Sequence, residues 1–258
     1  MTLVSAYEFY KLSNWSYCPY YTVKLEPKLI KLNDIVFLNL DWFSKFMCIL
    51  NNNPPSNKFI LIVHNSYHPF NPEHFQQLFN LIIHIYTINC NVINKLVTSI
   101  PFGFADNKFI SHDLFKKIID KTKEKNILLY LNFNVNKNKH KRIECLNSFI
   151  NKTWAYRDQK LSVEEYYNKI YHSKYIILPE GISIDNHKIY TALFFNCIPI
   201  VMTSKMDMFY LSIPIIVVNS WSDITQGFLE NNHELFYEKL LEWKKNNEWT
   251  TAKYWLNR

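Results

Sequence analysis

Seven short apolar runs punctuate the chain, and amphipathic stretches fill much of the space between them. The runs are IVFLNL (35–40), KFILIVHNS (58–66), VTSIPF (97–102), ILLYLNF (127–133), KYIILPE (174–180), IPIVMTS (198–204) and IPIIVVNS (213–220). They are continuous rather than alternating and rich in Ile and Val, the pattern of strands covered on both faces. SHDLFKKIIDKTKEKN (111–126) places Leu114, Ile118 and Ile119 on one side, opens on Ser111 and gathers lysines toward its end, so it reads as a helix. WFSKFMCIL (42–50), SVEEYYNKIYHS (162–173) and NHELFYEKLLEWKKN (232–246) read the same way. Strands alternating with helices predict an α/β protein with parallel sheets. No internal repeat or low-complexity linker interrupts the series. The segment 103–126 is the best boundary, giving two Rossmann-like halves, 1–113 and 114–258, that face a cleft. The terminal helix is expected to pack back on the first half.

One stretch breaks the apolar rhythm. In LPEGISIDNHKIYTALFFNCIPIV (178–201), a turn carrying Glu180, Gly181, Asp185, His187 and Lys188 sits between two buried-looking strands. It runs into a segment, 186–196, whose Ile189, Leu193 and Phe194 share a helical face. This is a strand–loop–helix–strand unit, and parallel α/β sheets present ligand sites at the carboxyl ends of such strands.

Composition narrows the ligand. Hydrophobic residues make up 48% and charged residues 20% of 258, a globular balance. No apolar run reaches the length of a membrane span and no leader is evident, and the five scattered cysteines lack a CxxC pair, which favours reduced core thiols and a cytoplasmic protein. The net charge of +7 suits phosphate-bearing ligands, nucleic acid or acidic surfaces. The basic residues are dispersed, with NKNKHKR (136–142) the one dense cluster, whereas a nucleic-acid binder concentrates its charge; no nucleic-acid partner is expected. Only three glycines occur, so each marks a place where the backbone needs one.

The polar turn and the strand after it resemble the signature segment of exostosin-like glycosyltransferases. Pro179, Gly181, Asp185, His187, Ala192, Leu193, Ile198, Pro199, Ile200 and Val201 match that pattern. The continuation IPIIVVNSWSDIT carries the matching Trp221 and Asp223, and upstream Asn138 and Arg142 match an Asn and an Arg that follow a strand. The resemblance implies a GT-B fold of two Rossmann-like domains. It implies transfer of a sugar, xylose or another small pyranose, from a UDP-sugar to a carbohydrate acceptor, with inversion and no obligatory metal or other cofactor. It implies donor contacts from Asn138, Arg142, Glu180, Gly181, Asp185, His187, Lys188 and Thr191. The chain departs from the pattern at Lys188 (for Arg), Tyr190 (for Trp), Thr191 (for the Glu that bonds the ribose), Ile182–Ser183 (for Asn-Gly) and Asn196 (for Gly).

The residues support this chemistry on their own terms. A diphosphate leaving group needs cations or amide N–H groups where charge develops. Arg142 and Lys188 are cations, His187 can donate to a phosphate oxygen, and the helix after Asp185 adds a positive dipole end. Each also has a plain alternative: solvated charges for Arg142 and Lys188, a helix-start carboxylate for Asp185, a satisfied imidazole for His187. An inverting transfer needs a base for the acceptor hydroxyl. Asp41 and His64 stand at carboxyl ends of predicted strands, with a helix N-cap and a core histidine as their alternatives. Trp15, Tyr17, Tyr20 and Tyr21 are candidates for a sugar-stacking surface, against ordinary packing. No HExxH, P-loop, GxSxG, GxGxxG or DxD pattern is present. Two other readings stand beside the transferase: a non-catalytic relative that binds nucleotide or glycan, suggested by Thr191, and a basic nucleic-acid binder, suggested only by charge.

Overall fold

The computed structural model describes residues 3–106, 113–119, 124–245 and 247–257. Ten strands form two parallel five-stranded sheets. They are β1 (Trp15–Tyr17), β2 (Ile35–Asn39), β3 (Phe59–His64), β4 (Ile82–Thr87), β5 (Val97–Ser99), β6 (Ile127–Leu131), β7 (Ala155–Arg157), β8 (Ser173–Ile177), β9 (Ile198–Met202) and β10 (Ile216–Val218). The described chain divides into two compact units: one runs to Phe104 and resumes at Glu248, and the other covers Ala105 to Asn247. The sequence reading placed its boundary at 113/114.

In the first unit the strand order is β1-β2-β3-β4-β5. Right-handed crossovers between neighbours in that order all fall on one face. The helices Phe43–Asn52 and Pro72–Leu78 connect β2 to β3 and β3 to β4. Phe43, Phe46, Met47 and Leu50 of the first helix recur at helical spacing and join Val36, Leu38, Leu61 and Val63 in one core. On the other face Tyr10 and Phe9 of the helix Ala6–Lys11 meet Phe37 and His64. The segment after residue 247 also belongs there: Trp249 meets the ring of Phe104, and Tyr86 donates to the Leu256 carbonyl at 2.8 Å. Trp15 and Tyr17, read as a possible stacking surface, lie in edge strand β1. Trp15 donates to Asp34 at 2.7 Å, and Tyr17 packs on Trp42 and Phe46.

The second unit has the order β10-β9-β8-β6-β7. From β6 the chain steps outward to β7, then crosses back to β8 on the other side of β6. The order therefore reverses between β6 and β8, and such a switch point leaves a crevice at the carboxyl ends of the two strands. Both strands end in three buried residues, Leu129–Leu131 and Tyr175–Ile177, which fixes the loops that leave them.

Glycine is scarce, and asparagine takes much of its conformational role. Of the six described non-glycine residues with positive φ, five are Asn: Asn33, Asn65, Asn89, Asn196 and Asn247. Asn tolerates the left-handed region better than other side chains. Gly103 has φ +68°, and a Cβ there would sit 2.4 Å from the Val4 carbonyl oxygen, so no Asn could replace it.

Of the predicted helix at 111–126, the helix Asp113–Ile119 is described; Ser111 and residues 120–123 lie outside the described residues.

Candidate functional site

The polar turn leaves the carboxyl end of β8, beside the carboxyl end of β6. Asn186 ends it by accepting the Lys188 backbone N–H at 3.0 Å, which starts the helix His187–Phe194. A second helix, Lys139–Phe149, holds the turn from the β6 side. Asn138, at its start, donates to the Gly181 carbonyl at 3.2 Å, and the Lys141 ammonium pairs with the Glu180 carboxylate. Arg142 lies between the two loops: its Nε and Nη2 donate to the carbonyls of Glu180 (3.1 Å) and Pro179 (3.4 Å) after β8, and Nη1 to that of Asn134 (2.7 Å) after β6. A Cβ on residue 181 would stand 2.5 Å from Arg142 Nη2, so glycine is what lets the guanidinium reach the backbone.

Lys188 comes from the other side. Its ammonium donates to the Asn132 carbonyl after β6 at 2.9 Å and lies 4.8 Å from the centre of the Tyr166 ring. Burial, and then the neighbouring Arg142 charge, push its pKa down to about 8. Arg142 is half-buried and also shifted down, first by burial. Among the described residues neither cation forms a salt bridge with a carboxylate. Arg142 has five N–H donors and spends three on carbonyls. Two cations that disfavour one another, without a carboxylate partner among the described residues, lie at the switch point of a parallel sheet, an arrangement chemically suited to an anion.

The other residues expected to face the ligand are placed differently. Asp185 is fully buried; its carboxylate accepts from Tyr190 at 2.6 Å and from Tyr210 at 3.4 Å. Burial, then that carboxylate, push the Tyr210 hydroxyl well above its ordinary value, so it stays a donor. Asp185 anchors the turn from beneath rather than meeting a diphosphate. Thr191 is also buried, and its hydroxyl donates to the His187 carbonyl one turn back at 3.0 Å. The single hydroxyl expected to reach a ribose is thus bonded to its own helix. His187 is partly exposed as the first residue of that helix.

In the first unit the two candidate bases separate. His64 is fully buried among Phe9, Phe37 and Phe102. Its Nδ1 accepts the Asn65 backbone N–H at 2.7 Å and its Nε2 lies 3.1 Å from the Pro101 carbonyl, so both nitrogens are occupied by backbone. It is a core histidine, and this corrects its reading as a candidate base. Asp41 is exposed at the carboxyl end of β2. Its Oδ1 accepts from Ser66, which follows β3, at 2.5 Å. The helix Phe43–Asn52 begins after Trp42 without a side-chain cap, so Asp41 is not its N-cap.

Several contributors escaped the sequence reading. The carbonyls of Asn132 and Asn134 carry no side-chain signature, and Tyr166 looked like one aromatic among many on an amphipathic helix. Tyr210 lies 25 residues from Asp185 in the chain. A tyrosine at 190, where the resembling family has tryptophan, was the available signal, because its hydroxyl needs a buried acceptor.

Among the described residues no three His, Cys, Asp or Glu side chains come together as a metal-binding group, and no described helix is long and apolar enough to cross a membrane. No family model matches the sequence, and no curated protein matches it. Solved structures do match. An alpha,alpha-trehalose-phosphate synthase (UDP-forming) from Burkholderia vietnamiensis is 8% identical, with 89% of this chain and 74% of that one covered at a TM-score of 0.51. The corresponding synthase from Burkholderia multivorans is 7% identical (89% and 69%, TM-score 0.49). The N-terminal domain of the Candida albicans trehalose-6-phosphate phosphatase is 13% identical (88% and 69%, TM-score 0.48). With its two parallel five-stranded α/β sheets, the chain has a fold of the GT-B glycosyltransferase type.

Proposed function

We propose that the protein is a glycosyltransferase that takes its sugar from a nucleoside-diphosphate donor, most specifically a UDP-sugar, and passes it to a carbohydrate acceptor. The observation that carries this reading is the pair Arg142 and Lys188, held at the β6/β8 switch point without a carboxylate partner among the described residues. Two cations of this kind suit a diphosphate, whose charge grows as the glycosidic bond breaks. The uridine and the carbohydrate rest on the exostosin-like signature around Gly181 and on a fold shared with a UDP-forming synthase.

In the reaction proposed, an acceptor oxygen attacks the anomeric carbon as its bond to the diphosphate breaks. The electron pair goes to the diphosphate oxygen, where Arg142 and Lys188 stabilise it, and a general base takes the hydroxyl proton. Asn138 and Gly181 position the turn, while the first amides of the helix His187–Phe194 add a positive dipole end. Attack opposite the leaving group gives inversion. The cations supply the charge that a bridging metal would otherwise provide, so turnover is expected to persist in excess EDTA. Abolition by EDTA with restoration by Mn²⁺ would contradict this part.

Calorimetric titration with UDP tests the reading. Binding that drops at least about tenfold in both Lys188→Ala and Arg142→Ala supports it, the loss of one charge-assisted hydrogen bond being about 1.5–3 kcal/mol. A second reading, a relative that binds nucleotide but does not turn over, is favoured by Thr191 standing where the resembling family has Glu. It predicts UDP binding without donor hydrolysis or transfer.

A further inference from the structure

A hollow of about 450 Å³ opens in the second unit at the amino ends of β9 and β10, where Ile198 and Ile216 begin their strands. The Gly181 turn leaves the carboxyl end of β8 in the same parallel sheet, so the hollow lies at the opposite end of that sheet. One wall is the edge strand β10 and the turn before it, with Leu211, Ile215 and Val217. The other is the helix Gln226–Lys244, which brings Phe236, Lys239 and Trp243 to one face at spacings of three and four residues. Over its 19 residues this helix fully buries only Leu229 and Leu240, so the sheet leaves much of its apolar stripe uncovered. Leu211, 79% exposed, stands at the mouth. Lys239 is the one charged side chain of the described lining. Its ammonium lies 6.0 Å from the centre of the Phe236 ring and forms no salt bridge among the described residues.

We infer that this hollow binds a free fatty acid, its chain held between β10 and the helix and its carboxylate on Lys239. The inference stands apart from the transferase reading, because it concerns a different ligand at the other end of the sheet. The chemistry of the lining selects the class. A sugar or nucleotide would bring hydroxyls and ring nitrogens into a wall of Ile, Leu, Val, Phe and Trp and leave them unpaired. The two hydroxyls present are already used: Ser212 donates to the Phe209 carbonyl at 2.8 Å, and Tyr210 donates to Asp185 at 3.4 Å. The occupant therefore has an apolar body. One cation on an apolar rim, with no carboxylate in the described lining, calls for a single anionic head. An alkyl carboxylate has these two parts and nothing else, and the volume is that of an ordinary small-molecule site.

Titration calorimetry on the full chain at pH 7 tests this with decanoate, 1-decanol and butyrate. Decanoate is expected to bind one to one. Decanol should bind about fivefold more weakly, the size of an exposed charge pair. Butyrate, which keeps the charge and loses six methylenes, should bind at least about a hundredfold more weakly. Lys239→Ala should bring decanoate down to the affinity of decanol. Leu211→Asp, at an exposed position that the fold does not depend on, should weaken decanoate at least about tenfold by setting a like charge at the mouth. No decanoate binding, decanol binding as tightly as decanoate, or decanoate affinity unchanged in both variants would each overturn the inference. A chain that sediments as a dimer, with Leu211→Asp monomeric, would also overturn it, since a second copy would then fill the hollow.

Discussion

Burial and the Arg142 charge hold Lys188 at about 8, against about 10.4 for a free lysine. Between those two values the unfolded chain binds more protons than the folded one, so this residue adds stability as pH rises through the window and costs stability below it. A bound diphosphate reverses the preference by favouring the ammonium. UDP affinity should therefore hold steady from pH 7 to 7.5 and weaken about tenfold by pH 9, as a group of pKa about 8 loses its proton. Titration calorimetry across that range checks it, and Lys188→Arg should flatten the profile, since a guanidinium stays charged. Gly181→Ala forces the new Cβ against a guanidinium already committed to three carbonyls. Loss of about 1–2 kcal/mol in denaturant unfolding is expected, together with weaker UDP binding. Thr191→Glu places a carboxylate where a buried hydroxyl is bonded to its own helix. It is expected to lower stability by at least about 2 kcal/mol without tightening UDP, because a buried unpaired charge is costly. A stable Thr191→Glu protein with improved affinity would restore the ribose contact implied by the family resemblance.

At the level of elements, chain reversals depend on asparagine where glycine is missing. Asn196 ends the helix His187–Phe194 at φ +56°, the place where the resembling family has Gly, and Lys244 bonds its side chain. Asn196→Gly should be tolerated, whereas Asn196→Val should lower stability by about 1–3 kcal/mol, because a β-branched residue resists positive φ. Thermal unfolding distinguishes the two. A partly buried lysine closes helix ends as well: Lys125 donates to the carbonyls of Tyr171, Ser173 and Phe195, meeting two helix C-termini with one ammonium. Seven of the ten strands were legible: six lie in continuous runs rich in Ile, Val and Leu, and β5 opens the run VTSIPF. The others had reasons to hide. β1 and β7 are three-residue edge strands, and β4 is interrupted by the polar tips of His84 and Tyr86. The helix Lys139–Phe149 buries only Cys145 and Phe149, so its basic first turn read as a charge cluster rather than as the support of Arg142. The Gly181 turn was legible as a polar break between buried strands. The roles of Asp185 and Thr191 were not, because burial and hydrogen-bond direction are set by Tyr190, Tyr210 and the helix backbone.

For the whole molecule, the central claim is that a nucleoside diphosphate sits at the switch point of the second sheet, where the strand order turns between β6 and β8. The +7 net charge draws anions to the protein generally, so affinity alone does not locate the ligand; the response to one side chain does. Calorimetric titration of UDP into the intact protein and into Lys188→Ala, at pH 7 and physiological salt, is the most direct measurement. The account predicts saturable one-to-one binding to the intact protein and at least about tenfold weaker binding to the variant, with both equally folded by thermal unfolding. Absence of UDP binding, or equal affinity in a well-folded Lys188→Ala protein, would contradict it.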